Sequence, residues 1–86
     1  MEQTTTLTAD VMQCLVEILE LARDSMIPPE DRLMRLDQYA VCAAGGYSPE
    51  AAFDPTARQL RELAARGTTM LADCIESVRT LVRRAM

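Results

Sequence analysis

The sequence predicts an all-α fold: a three-helix bundle with a long C-terminal helix, assembling as a helical-bundle dimer. Three observations lead there. Hydrophobic residues make up 49% of the chain, yet the aromatics are only Tyr39, Tyr47 and Phe53. The core must therefore come from Leu, Ile, Val, Met and Ala, residues that pack as helix on helix. Apolar positions recur at helical spacing over long stretches, and Pro-Pro, Gly-Gly and Asp-Pro pairs stand where such helices would start and stop. At 86 residues the chain is read as one domain, which buries about 60–65% of its extended surface and has a thin stability margin unless a partner helps.

Residues 1–6 are polar, and 1–7 are expected to fray. Thr8 is a reasonable N-cap, with Asp10 suited to the positive end of the helix dipole. The first helix is then expected over about 9–26. Gln13, Glu17, Glu20 and Asp24 form one narrow polar strip. Val11, Met12, Cys14, Leu15, Val16, Ile18, Leu19, Leu21, Ala22 and Met26 fill the rest. That apolar arc exceeds about 200°, wider than the roughly 100–160° typical of a helix covering one core. Such a helix is either sandwiched inside the molecule or lies in an interface.

Pro28-Pro29 ends this helix, because proline cannot continue the hydrogen-bond ladder and disfavours helical geometry just before it. Pro29, Glu30 and Asp31 make a good first turn for a second helix over 29–44, with Leu33, Leu36, Ala40, Ala43 and Ala44 on one face. Gly45-Gly46 closes it with positive φ. Asp37 falls within that apolar arc and is expected to pair with an arginine of the last helix. In the connection 45–54, Ser48-Pro49-Glu50 reads as a capped single turn that would lay Phe53 onto the core. Tyr47 and Phe53 are expected to plug the open end of the bundle. As two of three aromatics they are also candidates for recognition.

Asp54 and Pro55 read as N-cap and first residue of the final helix. From there Leu60, Ala64, Gly67, Leu71, Cys74, Val78, Leu81 and Ala85 recur at alternating steps of four and three. The heptad phase passes unbroken through Gly67 and predicts one continuous helix over 55–85. Gly67 would then be a point where another helix approaches closely. A helix that outruns its intramolecular partners, beside a first helix with two apolar sides, predicts a homodimer. Its interface would use Met12, Leu15, Leu19, Met26, Gly67, Leu71, Cys74, Val78 and Leu81.

The net charge of −4 is unevenly spread. Residues 1–56 carry ten acids against three arginines, and residues 57–86 six arginines against three acids. Pairing of the basic helix with the acidic ones, or with a partner, would satisfy this asymmetry. An acidic whole argues against general nucleic-acid or anionic-membrane binding. Three well-separated cysteines, Cys14, Cys42 and Cys74, fit neither a disulfide framework nor a zinc site and suggest reduced thiols in a cytoplasm. Cys14 and Cys74 read as small buried hydrophobes, Cys42 as the more exposed thiol. There is no signal-peptide pattern and no apolar run of 18 residues.

Residues 63–71 superficially resemble a helix-turn-helix, but the offsets fail: bulky Leu63 and charged Asp73 occupy positions that should be small and buried. Arg58, Arg61, Arg79 and Arg83 on one side of the last helix give the alternative reading, a DNA-binding transcriptional regulator. Pairing of Glu62 with Arg58 and Arg66, and of Glu76 with Arg79, would neutralise much of that face. Carboxylate metal chemistry needs inward acids, usually with histidine, and the chain has no histidine. No phosphate loop, serine elbow or activated cysteine is present, so neither an enzyme nor a cofactor or metal is expected. The function expected is a helical protein–protein interaction module acting as a regulator, inhibitor or adaptor, including products of bacteria, phage or mobile elements. Glu17, Glu20, Asp24, Tyr47 and Phe53 are its candidate partner contacts.

Overall fold

The computed structural model describes residues 2–86, with side chains from Thr8 onward. Among the described residues there are four α-helices and no strands: α1 (Glu2–Arg23), α2 (Pro29–Ala43), α3 (Pro55–Ala65) and α4 (Met70–Arg84). α1 and α2 each pack against both α3 and α4, most extensively α2 against α4, whereas α3 and α4 hardly touch each other. The four helices thus run round the bundle in the order α1, α3, α2, α4. None is long and apolar enough to cross a membrane.

The expected continuous helix over 55–85 is corrected: it is two helices. Gly67 sits at φ +93°, in the left-handed region, just past the end of α3. Its N–H donates to the Ala64 carbonyl and the Thr68 N–H donates to the Leu63 carbonyl, both at 2.9 Å. This pair of bonds satisfies carbonyls that the helix end leaves free. The same device closes α2, where Gly45 (φ +91°) and Gly46 donate to Cys42 and Val41. Gly67-Thr68-Thr69 combines a glycine costing about 1 kcal/mol in a helix with two poor helix formers, so stopping there is favourable. Packing decides the rest. A 31-residue helix would span about 46 Å, longer than the longest extent of the molecule, 42 Å. Once broken, α4 turns Leu71, Ile75, Val78 and Val82 into the core against α2. This stripe is rotated from the heptad seam, leaving Leu81 exposed and Cys74 half-buried.

Core residues from all four helices meet: Cys14, Ile18 and Leu21; Leu36, Tyr39, Cys42 and Ala43; Ala57, Leu60 and Leu63; and the α4 stripe. Cys42 is buried, correcting the expectation that it faces outward. The tight α2–α3 packing covers the side of α2 that looked polar. α1 starts at Glu2 rather than near residue 9, so residues 2–7 are helical and Thr8 is not its cap. Threonines slow a helix by only a few tenths of a kcal/mol each, and no glycine or proline intervenes. The expectation for Met1 lies outside the described residues.

The α1–α2 turn is fixed by side chains. Asp24 accepts the Met26 N–H at 2.9 Å, ending α1 earlier than its apolar pattern suggested. Arg32 reaches back from α2, donating through Nη1 to the Ala22 carbonyl (2.7 Å) and through Nε to the Ile27 carbonyl (2.9 Å). A cation on the last carbonyls also suits the negative end of the α1 dipole. Asp54 caps α3 as expected, its Oδ1 accepting from the Thr56 and Ala57 N–H groups at 2.9 and 3.3 Å. Its Oδ2 accepts the Tyr39 hydroxyl at 2.8 Å, which joins α2 to the start of α3. Asp37 pairs with Arg79 of α4, as its position foretold, and Arg79 also holds Glu76 at 2.6 Å.

Candidate interaction surfaces

Three surfaces stand out on this bundle, each at an edge between helices. The first lies between α1 and α4. Ile18 and Leu21 face the core, so the second apolar side of α1 points outward. Met12 (54% exposed), Val16 and Leu19 follow one another at four- and three-residue steps along it. Leu19 and Ala22 then line a groove of about 270 Å³ with Val78, Leu81 and Val82 of α4 and Ala85 just past its end, with Arg23 and Arg32 also on its wall. Leu81 is 62% exposed at its rim. Met26, in the turn beyond α1, is 89% exposed. An apolar strip spanning two helices is unusual on an isolated small protein.

The expected interface is therefore divided. Met12, Leu19, Met26 and Leu81 are on the surface, and Leu15 and Cys74 are half-buried. Leu71 and Val78, by contrast, are buried in the chain's own core. The break at Gly67 is the cause, since it folds the front of α4 back onto α2. Gly67 itself is in an exposed turn, with nothing near where a Cβ would sit, so it is not a close-approach point between helices.

The second surface is a groove of about 630 Å³ between α1 and α3, lined by Asp10, Gln13, Cys14, Glu17, Tyr39, Asp54, Pro55, Thr56 and Gln59. Its polar groups are largely occupied with one another. Gln13 donates to Glu17 at 2.9 Å, Tyr39 to Asp54, and Asp10 meets Arg66 of the α3–α4 joint at 3.7 Å. Burial, then the nearby Asp10 and Glu17 carboxylates, push the Cys14 thiol up to about 11. Burial and the bond to Asp54 raise the Tyr39 phenol above its ordinary value. Both groups therefore stay protonated at neutral pH and are poor nucleophiles. Of the acids named from the sequence, Glu17 lines this groove, Glu20 is exposed outside it, and Asp24 is tied into the turn. Among the described residues no group of three or more metal-ligating side chains is placed to hold an ion.

The third surface is the α2–α3 edge. Tyr47 and Phe53 do not plug the bundle: Tyr47 is exposed and Phe53 is 94% exposed. The 3₁₀ turn Pro49–Ala51 does form, but it buries Ala51 and Ser48 instead and leaves the Phe53 ring outside. Ser48 donates to the Glu50 carboxylate at 3.0 Å rather than capping the turn. The Arg61 guanidinium stacks over the Tyr47 ring, 5.1 Å from its centroid.

The Arg-bearing face expected along one helix is divided by the same break. Arg58 and Arg61 lie on α3, whereas Arg79 is held on α4 between Asp37 and Glu76, with Arg83 at the far end. Glu62 pairs with neither Arg58 nor Arg66 among the described residues, while the expected Glu76–Arg79 pair forms. The Arg32 clamp escaped sequence reasoning, as did the meeting of Arg58 and Arg61 with the Tyr47 loop, although each of those residues is named separately above. The only signals for them were an arginine four residues past Pro28 and an Arg-x-x-Arg pair following an aromatic loop. No protein-family model, no curated protein and no solved structure matches this chain.

Proposed function

We propose that this chain is a cytoplasmic protein–protein interaction module, self-associating through its α1–α4 edge and acting on another protein as a regulator, inhibitor or adaptor. The observation that carries the reading is the apolar strip Met12–Val16–Leu19 running into the groove rimmed by Leu81. Covering a large aliphatic side chain removes it from water at a gain of roughly 1.5–3 kcal/mol. A few such residues on a two-fold interface therefore suffice for association. The three free cysteines suit a reducing compartment.

Mass by light scattering after size exclusion, over a hundredfold concentration range, tests this. The native chain is expected to run as a dimer. Leu19→Asp and Leu81→Asp are expected to run as monomers with unchanged helicity, because neither side chain is in the core. A native chain that stays monomeric at every concentration refutes the self-association.

A further inference from the structure

We infer that the α2–α3 edge is a docking site for a short acidic segment of another protein, with Arg58 and Arg61 receiving its carboxylates and Tyr47 and Phe53 its apolar side chains. The edge lies across the bundle from the α1–α4 strip, so this inference extends the reading of the chain as an interaction module without depending on its self-association.

Charge is the first argument. The protein carries four more acids than arginines, and Arg32, Arg66 and Arg79 are all engaged with carbonyls or carboxylates. Arg58 and Arg61, like Arg23, Arg35, Arg83 and Arg84, have no carboxylate partner among the described residues, but they alone of these stand together beside an exposed aromatic and line two grooves, although Glu62 lines one of them. They are three residues apart on α3, hence neighbours on one helix face. They also stand between two grooves. One, of about 570 Å³, includes Gly45, Ala64 and Ala65; the other, of about 160 Å³, includes Cys42, Tyr47, Ser48 and Ala51.

Preorganisation is the second argument. The Arg61 guanidinium already lies over the Tyr47 ring, 5.1 Å from its centroid, so the contact biases where it sits before any ligand arrives. A planar guanidinium receives a carboxylate through two parallel hydrogen bonds. Phe53 directly follows Ala52, which lines the smaller groove, and its ring is almost wholly in water. Aromatic and arginine side chains side by side are the composition of binding hot spots. A long polyanion fits less well. Glu62 in the groove and the net negative charge of the chain repel a continuous phosphate backbone, whereas a short segment sets its carboxylates only on the two arginines.

The test is selection of a random 12-residue peptide library on the full-length protein, followed by affinity measurement on the enriched peptides. Peptides rich in Asp or Glu beside a large apolar residue are expected. Arg58→Ala, Arg61→Ala and Phe53→Ser should each weaken them about tenfold, with helicity unchanged. Arg61→Glu should abolish binding and a Glu→Lys peptide should restore it. Leu81→Asp should leave peptide affinity unaltered, which separates this site from the self-association surface. Selection of peptides without acidic residues, or equal binding by the arginine variants, overturns the inference. So does tighter binding of a 20-nucleotide single strand or duplex than of any selected peptide. Loss of the dimer in Arg61→Glu, with Leu81→Asp still dimeric, overturns it in favour of a second copy's acidic α1 as the occupant.

Discussion

Replacing Gly67 by alanine reads out the α3–α4 joint through the sign of one number. Were residues 55–85 a single helix, the change would stabilise the protein by about 1 kcal/mol, the helix-propensity gap between glycine and alanine. In the structure Gly67 holds φ +93°, where an L side chain collides with its own backbone. Nothing lies within 4 Å of the position a Cβ would take, so there is no added clash with neighbours. The cost is thus the left-handed backbone alone, roughly 1–2 kcal/mol. The two expectations differ by about 2–3 kcal/mol, well beyond the error of a urea titration. In a chain of this length a loss of 1 kcal/mol lowers Tm by about 4–8 °C. Gly67→Asn, whose side chain tolerates left-handed geometry better, should lose less than Gly67→Ala. An increase in the unfolding midpoint on Gly67→Ala would refute the broken joint.

Further outcomes follow from other residues. Asp54→Ala removes the α3 cap and the acceptor for Tyr39, and should cost about 2–3 kcal/mol in denaturant unfolding. Asp54→Asn should cost less, because an amide oxygen still caps. The Cys14 thiol gives a pH dependence. Below pH 9 it is protonated folded and unfolded, and its full stabilisation is present. Between pH 9 and about 11 the unfolded chain loses the proton while the folded chain keeps it, so stability falls by roughly 2–3 kcal/mol. Comparing native protein with Cys14→Ala at pH 8 and pH 10.5 isolates that contribution, and equal slopes would remove it. Titration with a thiol reagent should modify half-buried Cys74 quickly, and Cys14 and Cys42 only on unfolding.

Much of the framework is legible residue by residue. Pro29, Gly45 and Asp54-Pro55 bound their helices because proline geometry, positive φ and a capping carboxylate act locally, within four residues. The Asp37–Arg79 pair was legible because an acid in an apolar arc needs a counter-charge. Gly67 misled because a heptad count records spacing alone. Helices on either side of a short turn can keep phase by coincidence, and packing then decides whether the turn exists. Phe53 misled because hydrophobicity cannot say whether the burying partner is this chain or another. The α1–α4 strip was half legible. The excess apolar arc of α1 pointed to it, but Leu71 and Val78 were assigned to the surface because the break that turns them inward was not foreseen. Arg32 left only its place four residues past Pro28 as a signal, as its acceptors are backbone carbonyls.

The Arg32 clamp has a kinetic meaning. Its two bonds span only five and ten residues of chain, and closing loops that short costs little entropy. The corner between α1 and α2 can form on the timescale of helix growth itself, tens of nanoseconds to microseconds, ahead of the slower docking of α3 and α4. A preformed corner aims α1 and α2 with Ile18 and Leu36 already turned to the side where the later helices arrive. The remaining search is for two short helices to find one exposed hydrophobic trough, and these pairings, α2 with α4 above all, close much longer loops than the corner does, so they and not the corner set the pace of folding.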